Sequence, residues 1–219
     1  MHRPFVALLA LLVFGLSSHA LATDAATIVA QGNGRGAEPC MACHGTDGSG
    51  SEANGYPRLA GQNAAYLKRQ LQDFAEGTRS NPLMQPSAKA LSVEERQALA
   101  DYFSRLPLPA ALAHPEGKMP AADSVGALLA TRGDWSRGLP GCVQCHGPGG
   151  VGVGANFPPL AGQPASYIET QLKAWQSGSR HNDPLQLMQN ISGKLSAQEI
   201  QAVASWFAAQ PLSAKGVTP

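Results

Sequence analysis

The hydrophobic positions of the chain predict helices that occur in matching pairs. One set of apolar residues at i, i+4 and i+7 spacing defines an amphipathic helix in each half of the sequence, and Gly77 and Gly178 follow these sets as stop signals. The two sets are Leu67, Leu71 and Phe74, and Ile168, Leu172 and Trp175. No segment alternates in the manner of a buried strand, so the pattern favours an all-α fold.

A final helix is predicted near the end of each half. Ser92 with Glu95, and Ser196 with Glu199, have the spacing of a capping box, in which each side chain binds the other residue's backbone N–H. An apolar stripe at i, i+3, i+4 and i+7 spacing follows each box and is interpreted as core. The stripes are Leu99, Tyr102, Phe103 and Leu106, and Ile200, Val203, Ala204 and Phe207.

These pairs belong to an internal duplication. Residues 59–62, Leu-Ala-Gly-Gln, recur 101 positions later at 160–163. Further matches follow them at the same spacing: Tyr66 and Tyr167, Gln70 and Gln171, and Arg79 and Arg180. The duplication predicts two similar domains, 23–106 and 123–219, joined by a linker over 107–122 that contains four prolines.

The first 22 residues are predicted to be an export signal. His2 and Arg3 give a positive start, residues 5–16 are almost entirely apolar, and Ala20-Leu21-Ala22 is a small-residue cleavage site. A membrane anchor is the alternative, but the run is shorter than the roughly 20 apolar residues that cross a bilayer. A periplasmic protein is therefore expected.

The composition of the remaining 197 residues narrows the classes of function. Removal of Arg3 leaves 15 basic and 15 acidic side chains, whereas a nucleic-acid partner requires a marked basic excess. Only 6% of the chain is aromatic, while it contains 24 glycines and 17 prolines. Two domains of this size with so little bulky core material are expected to need a disulfide, a metal or a covalent cofactor.

All four cysteines lie in two copies of the haem c attachment motif C-x-x-C-H. The copies are Cys40, Cys43 and His44, and Cys142, Cys145 and His146. Residues at i, i+3 and i+4 share one face of a helical turn. Both thiols can therefore form thioethers with the vinyl groups of one porphyrin while the imidazole reaches its iron. The sequence predicts two covalently bound haem c groups.

Three other interpretations of the cysteines are weaker. A thioredoxin-like dithiol needs a neighbouring βαβ pattern, which the sequence lacks. A zinc site would need its Cys and His ligands around one tetrahedron, and a histidine directly beside the second cysteine is poorly placed for that. Two local disulfides would not explain a histidine in the same place twice.

The sixth iron ligand has a matching candidate in each half. Apart from residues 1, 41 and 119, the only methionines are Met84 and Met188, and each lies seven residues before the leucine that precedes a capping serine. Core filling is the alternative for a methionine. His181 is a second candidate in the second half, but Ser80 occupies the matching place in the first; His114, in the linker, is expected to be solvated.

A His/Met ligand pair fills both axial positions and raises the reduction potential. No position then remains for oxygen or peroxide. The sequence therefore predicts an electron carrier with no catalytic residues rather than an enzyme.

With these residues assembled, the chain resembles the di-haem cytochrome c4 family over essentially its whole length after the signal. The resemblance rests on the paired haem motifs, the Pro-x-Leu-Ala-Gly-Gln stretches from Pro57 and Pro158, and the loops from Arg79 to Met84 and from Arg180 to Met188. It implies a tandem pair of class I cytochrome c domains related by approximate two-fold symmetry, with haem propionates meeting at the interface.

The resemblance also implies the roles of individual residues. His44 and His146 would be proximal ligands and Met84 and Met188 distal ligands, with the carbonyls of residues 57 and 158 accepting hydrogen bonds from the imidazoles. One departure is that the second methionine loop is three residues longer. Different haem exposure and unequal potentials are therefore expected.

The partners are implied by the resemblance alone. Family members are periplasmic or membrane-associated carriers that pass electrons from the cytochrome bc complex toward terminal oxidases or reductases. Two alternatives remain open: a cytochrome subunit of a periplasmic dehydrogenase or flavocytochrome, and a di-haem peroxidase, which would require an open iron position.

Overall fold

The computed structural model describes residues 24–113 and 119–212, which form two helical domains. The predicted export signal and His114 lie outside the described residues. No helix in the described ranges is both long and apolar enough to cross a bilayer.

The first domain contains five helices. They are α1 (Ala25–Gln31), α2 (Met41–His44), α3 (Ala64–Glu76), α4 (Met84–Ala90) and α5 (Val93–Arg105). Asn63 accepts a hydrogen bond from the Tyr66 N–H at the start of α3, and Gly77 ends that helix in the left-handed conformation with φ +89°. The amphipathic helix expected before Gly77 is confirmed.

The second domain repeats this order. A short helix, α6 (Ala110–Ala113), precedes it, and the domain contains α7 (Val125–Thr131), α8 (Val143–His146), α9 (Ala165–Gln176), α10 (Leu187–Ser192) and α11 (Ala197–Ala208). A small hairpin lies between α7 and α8, and each of its two strands, β1 (Gly133–Asp134) and β2 (Leu139–Pro140), has two residues. The all-α prediction is confirmed, with this hairpin as a small addition.

Both capping boxes form as predicted. The Ser92 side chain accepts from the Glu95 N–H while the Glu95 carboxylate accepts from the Ser92 N–H, and Ser196 and Glu199 repeat the exchange at α11. Each box satisfies two backbone donors that a helix start leaves without partners. The helices that follow bury their stripes, with Leu99 and Phe103 in one core and Ile200 and Phe207 in the other.

Part of the predicted linker is helical and packs against both domains. Ala110–Ala113 form a helical turn because alanine and leucine favour helix even between prolines. Leu108 contacts Gly61 in the first domain, whereas Leu112 contacts Gly162 and its carbonyl accepts a hydrogen bond of 2.8 Å from the Leu212 N–H in the second. The segment is therefore packed against both Leu-Ala-Gly-Gln turns.

Hydrogen bonds between the domains come in matching pairs. An antiparallel bridge joins Arg79 to Arg180, and the Ser80 N–H donates to the Ser179 carbonyl at 2.9 Å. The His181 N–H donates to the Thr78 carbonyl, also at 2.9 Å, and this bond is equivalent to the first at the 101-residue spacing of the duplication. The approximate symmetry expected from the duplication is visible in this pair of bonds.

Other contacts across the interface are not symmetric: the Arg58 N–H donates to the Gln163 side chain, and the Gln163 amide donates back to the Arg58 carbonyl, both at 3.0 Å. The Glu52 carboxylate accepts hydrogen bonds from the Ala165 and Ser166 N–H groups at 2.7 and 3.1 Å. A carboxylate at the start of a helix satisfies free donors and complements the helix dipole. The first domain therefore caps α9 of the second domain.

A glycine allows α7 and α11 of the second domain to cross closely. A Cβ added to Gly126 on α7 would lie 2.2 Å from the Ala202 carbonyl oxygen of α11. At the 101-residue spacing of the duplication, the first domain has Ala25 in this place. The first domain therefore carries a methyl group at the position where the second domain has none.

We expect Gly126→Ala to destabilise the protein by about 1–3 kcal/mol, because the added methyl group forces the two backbones apart. Urea unfolding followed by circular dichroism measures the change. Ala25→Gly is the matched control and should cost no more than about 1 kcal/mol. Equal stability of Gly126→Ala and the parent protein would contradict the packing described.

Candidate functional site

Each C-x-x-C-H motif forms a single helical turn, as predicted. The His44 N–H donates to the Cys40 carbonyl at 3.0 Å, and the His146 N–H donates to the Cys142 carbonyl at 2.9 Å. Gly45 and Gly147 follow at φ +80° and +79°, a conformation that favours glycine, and so end both turns. Within each turn, the two thiols and the imidazole share one face.

The histidines are held by the carbonyls that the resemblance implied. The His44 Nδ1 atom lies 3.0 Å from the Pro57 oxygen, and the His146 Nδ1 atom lies 2.8 Å from the Pro158 oxygen. A carbonyl only accepts, so Nδ1 carries the proton and Nε2 keeps its lone pair for a metal. The expected hydrogen bonds are confirmed.

Burial keeps both imidazoles neutral. It lowers the pKa of His44 and of His146, against the smaller raising effect of the hydrogen bonds to the two proline carbonyls. A metal-binding imidazole must be deprotonated. Neither histidine therefore has to lose a proton at neutral pH before it binds iron.

All four cysteine thiols are free in the structure. Burial raises the pKa of Cys40 and of Cys142 to about 11, so both are uncharged at neutral pH. Cys40 and Cys142 also pack against the apolar cores of their domains. The local disulfide weighed above does not form.

A cavity of about 360 Å³ is lined mainly by residues of the second domain. Its lining includes Cys142, Cys145 and His146 of the motif, and Met188. The rest is largely apolar and includes Leu160, Ile168, Leu172, Val203 and Phe207. An apolar cavity of this kind fits an iron porphyrin. The two thiols could attach its vinyl groups, and the imidazole nitrogen and thioether sulfur could bind its iron.

The methionine loops of the two domains differ in conformation. In the first, the Asn81 side chain accepts from the N–H groups of Leu83 and Met84, both at 2.9 Å, and α4 begins directly. In the second, a 3₁₀ turn is inserted, and Leu185 and Gln186 have positive φ values of +60° and +55°. Leu185 is 97% exposed. The inserted turn, Pro184–Gln186, therefore forms an exposed tip of the loop.

His181 is outside the cavity. Its side chain is exposed, and its Nδ1 atom lies 3.1 Å from the Gly178 carbonyl oxygen. Its backbone N–H donates to the Thr78 carbonyl across the domain interface at 2.9 Å. Met188, not His181, lines the cavity.

The sequence interpretation missed that the first domain contributes to the cavity of the second. Gln62, Tyr66, Arg69 and Gln70 line it together with Arg180. The signal was present, since Tyr66, Gln70 and Arg180 are among the repeated residues. Periodicity alone could not show that these side chains meet across the interface.

Comparisons with known proteins show the family to which the chain is similar. A model of the cytochrome c oxidase cbb3-type subunit III family matches residues 27–103 and 139–207. The thiosulfate dehydrogenase electron acceptor of Stutzerimonas stutzeri (strain A1501) is 51% identical over 211 residues, covering 94% of this chain and 94% of the relative. Cytochrome c4 of Azotobacter vinelandii is 36% identical over 216 residues, covering 94% and 98%.

A solved structure is also similar. Thiosulfate dehydrogenase (TsdBA) from Marichromatium purpuratum superimposes with a TM-score of 0.78 at 45% identity. The match covers 87% of this chain but only 41% of that longer chain.

The fold and the two motif turns define a c-type cytochrome with two helical domains. The chain belongs to the cytochrome c4-like family of di-haem electron-transfer proteins. Membership implies covalently bound haem c.

If Met84 and Met188 are the distal ligands, replacing either with alanine should lower the potential of one haem, because the thioether favours reduced iron. The reduced variant should also bind carbon monoxide at the opened position. Redox titration of the purified protein measures the first effect. Met119→Ala, in the chain between the domains, is the control. An unchanged potential in Met188→Ala would show that the ligand is another residue.

Proposed function

We propose that this protein is a periplasmic two-haem electron acceptor for a thiosulfate-oxidising dehydrogenase, from which it carries electrons onward. The observation that carries the proposal is the 51% identity to a thiosulfate dehydrogenase electron acceptor over nearly the full length of both chains. It develops the dehydrogenase-partner alternative left open by the sequence. The expected export signal supports the periplasmic location.

In this proposal each motif holds one haem. Cys40, Cys43, Cys142 and Cys145 would hold the haems through thioether bonds, and His44, Met84, His146 and Met188 would bind the iron. Haem iron supplies a one-electron change between the ferrous and ferric states. The two proline carbonyls fix the orientation of the imidazoles, and such contacts tune the metal.

The residues of this protein favour electron transfer over catalysis. With a methionine thioether and a histidine imidazole both bound, each iron would have no free position for a substrate. The apolar walls of the cavity exclude water, so little solvent has to reorganise when the charge changes. The proposed role is therefore that of a carrier, with thiosulfate oxidised on the partner.

A second candidate is transfer from the cytochrome bc complex toward a terminal oxidase or reductase. The likeness to cytochrome c4 at 36% identity favours it. The two candidates differ in the electron donor, which can be tested directly.

We expect thiosulfate and the thiosulfate dehydrogenase of the source organism to reduce the oxidised holoprotein rapidly. Absorbance of the reduced haem in a stopped-flow mixer follows the reaction, and omission of either component should leave the protein oxidised. Reduction by quinol and the cytochrome bc complex, with none by the dehydrogenase pair, would instead favour the second candidate.

Leu185 is a candidate contact residue for the electron donor. It lines the cavity and is also 97% exposed, so the cavity lies close to solvent at this tip. Electron transfer slows steeply with distance, and a donor therefore has to approach the haem closely. The tip carries no charge, which suits an apolar contact with the dehydrogenase.

We expect Leu185→Asp to slow reduction by the dehydrogenase about tenfold, because the carboxylate must be desolvated at the contact. Because Leu185 is almost fully exposed, solvent screens the added charge, and the haem potentials should shift far less than they would with a buried carboxylate. Leu83→Asp is the matched control, since Leu83 is 58% exposed beside Met84 of the first domain. A similar slowing in both variants, or none in Leu185→Asp, would place the contact elsewhere.

A further inference from the structure

Two buried arginines meet at the interface between the domains. Arg79 and Arg180 are only 5% and 4% exposed. Each guanidinium lies over an aromatic ring of its own domain, 4.4 Å from the centre of Phe74 and 3.9 Å from the centre of Trp175. These positions match in the duplication, so the interface contains two like charges that are both removed from water.

The two arginines share their hydrogen-bond acceptors. The Gln171 Oε1 atom accepts from Arg79 at 2.6 Å and from Arg180 at 2.9 Å. The Gln70 Oε1 atom accepts from Arg79 at 2.9 Å and from Arg180 at 3.0 Å. Arg79 also donates to the Tyr167 hydroxyl at 2.8 Å. All of these acceptors are neutral, so they orient the guanidiniums without balancing their charge.

Asp73, the acidic side chain whose charge interacts with both arginines, is a weak counter-charge. The Asp73 carboxylate accepts from Asn182 at 2.6 Å and makes no hydrogen bond to either arginine in the described part of the chain. Burial raises the pKa of Asp73, although the two arginines and Arg69 oppose this. Buried charge without a partner is strongly unfavourable. The arginine pair is therefore expected to bind a further anion.

The charge adjoins the proposed haem cavity. Arg180 and Gln171 line it together with His146 and Met188. A haem carries two propionate carboxylates, and guanidinium binds carboxylate with paired, charge-assisted hydrogen bonds. The propionates of the proposed haem therefore supply the negative charge that the two arginines lack.

We propose that Arg79 and Arg180 form one shared cationic site for propionates of both haems and so set the two reduction potentials together. This inference rests on the two-haem assignment proposed above. Fixed positive charge disfavours the more positive ferric iron and raises the potential. Because the glutamines bridge the guanidiniums, a change of charge at this site acts on both domains.

Gln171→Glu tests the inference without loosening the interface. The carboxylate keeps the shape of the amide and strengthens its contact with both arginines, but it cancels one positive charge. We expect the ratio of oxidised to reduced iron at a fixed applied potential to rise about tenfold at both haems, equivalent to 59 mV for a one-electron couple. Spectroelectrochemical titration of the holoprotein resolves the two steps.

Gln201→Glu is the matched control, because Gln201 is exposed on α11 and does not line the cavity. It should shift neither potential. Arg180→Gln should lower both potentials, and Arg180→Lys should restore most of the loss. A Gln171→Glu shift confined to one haem, or absent, would overturn the shared site and leave the arginines as an interdomain clamp.

The haem content separates this test from the proposed function. Two haems per chain in the parent protein and in Gln171→Glu, with unshifted potentials, would reject the arginine site alone. Fewer than two haems in the parent protein would reject the assignment on which the inference rests.

Discussion

The structure depends on one helical turn used twice. A turn that presents two thiols and an imidazole on one face can attach a porphyrin and bind its iron with no other part of the chain. Gly45 and Gly147 end these turns, and the chain then passes to the proline carbonyls that bind His44 and His146. Everything else in each domain can be understood as an apolar enclosure for that turn.

The interface between the domains extends this enclosure. Tyr66 and Gln70 of the first domain line the cavity of the second, so the two proposed haem sites are not independent. Glu52 caps α9, and the Arg58 backbone exchanges two hydrogen bonds with the Gln163 side-chain amide. An interface of this kind fixes the spacing between the proposed cofactors, which a one-electron relay within a single chain requires.

Local signals in the sequence predicted the features that depend on neighbouring residues. The capping boxes at Ser92 and Ser196, the helical turns of the motifs and the all-α class need only short-range geometry, and they form as expected. The shared environment of Arg79 and Arg180 could not be predicted, because its contacts join residues about 90–110 positions apart. The positive φ values of Leu185 and Gln186 had no signal either, since neither is glycine.

The number and attachment of the cofactors are the central claim, and the mass of the intact exported protein tests them most directly. Under denaturing conditions the account predicts the mass of the polypeptide after removal of residues 1–22 plus two haem groups, because thioether bonds survive unfolding. The mass of the bare polypeptide, or of the polypeptide with a single haem, would contradict it.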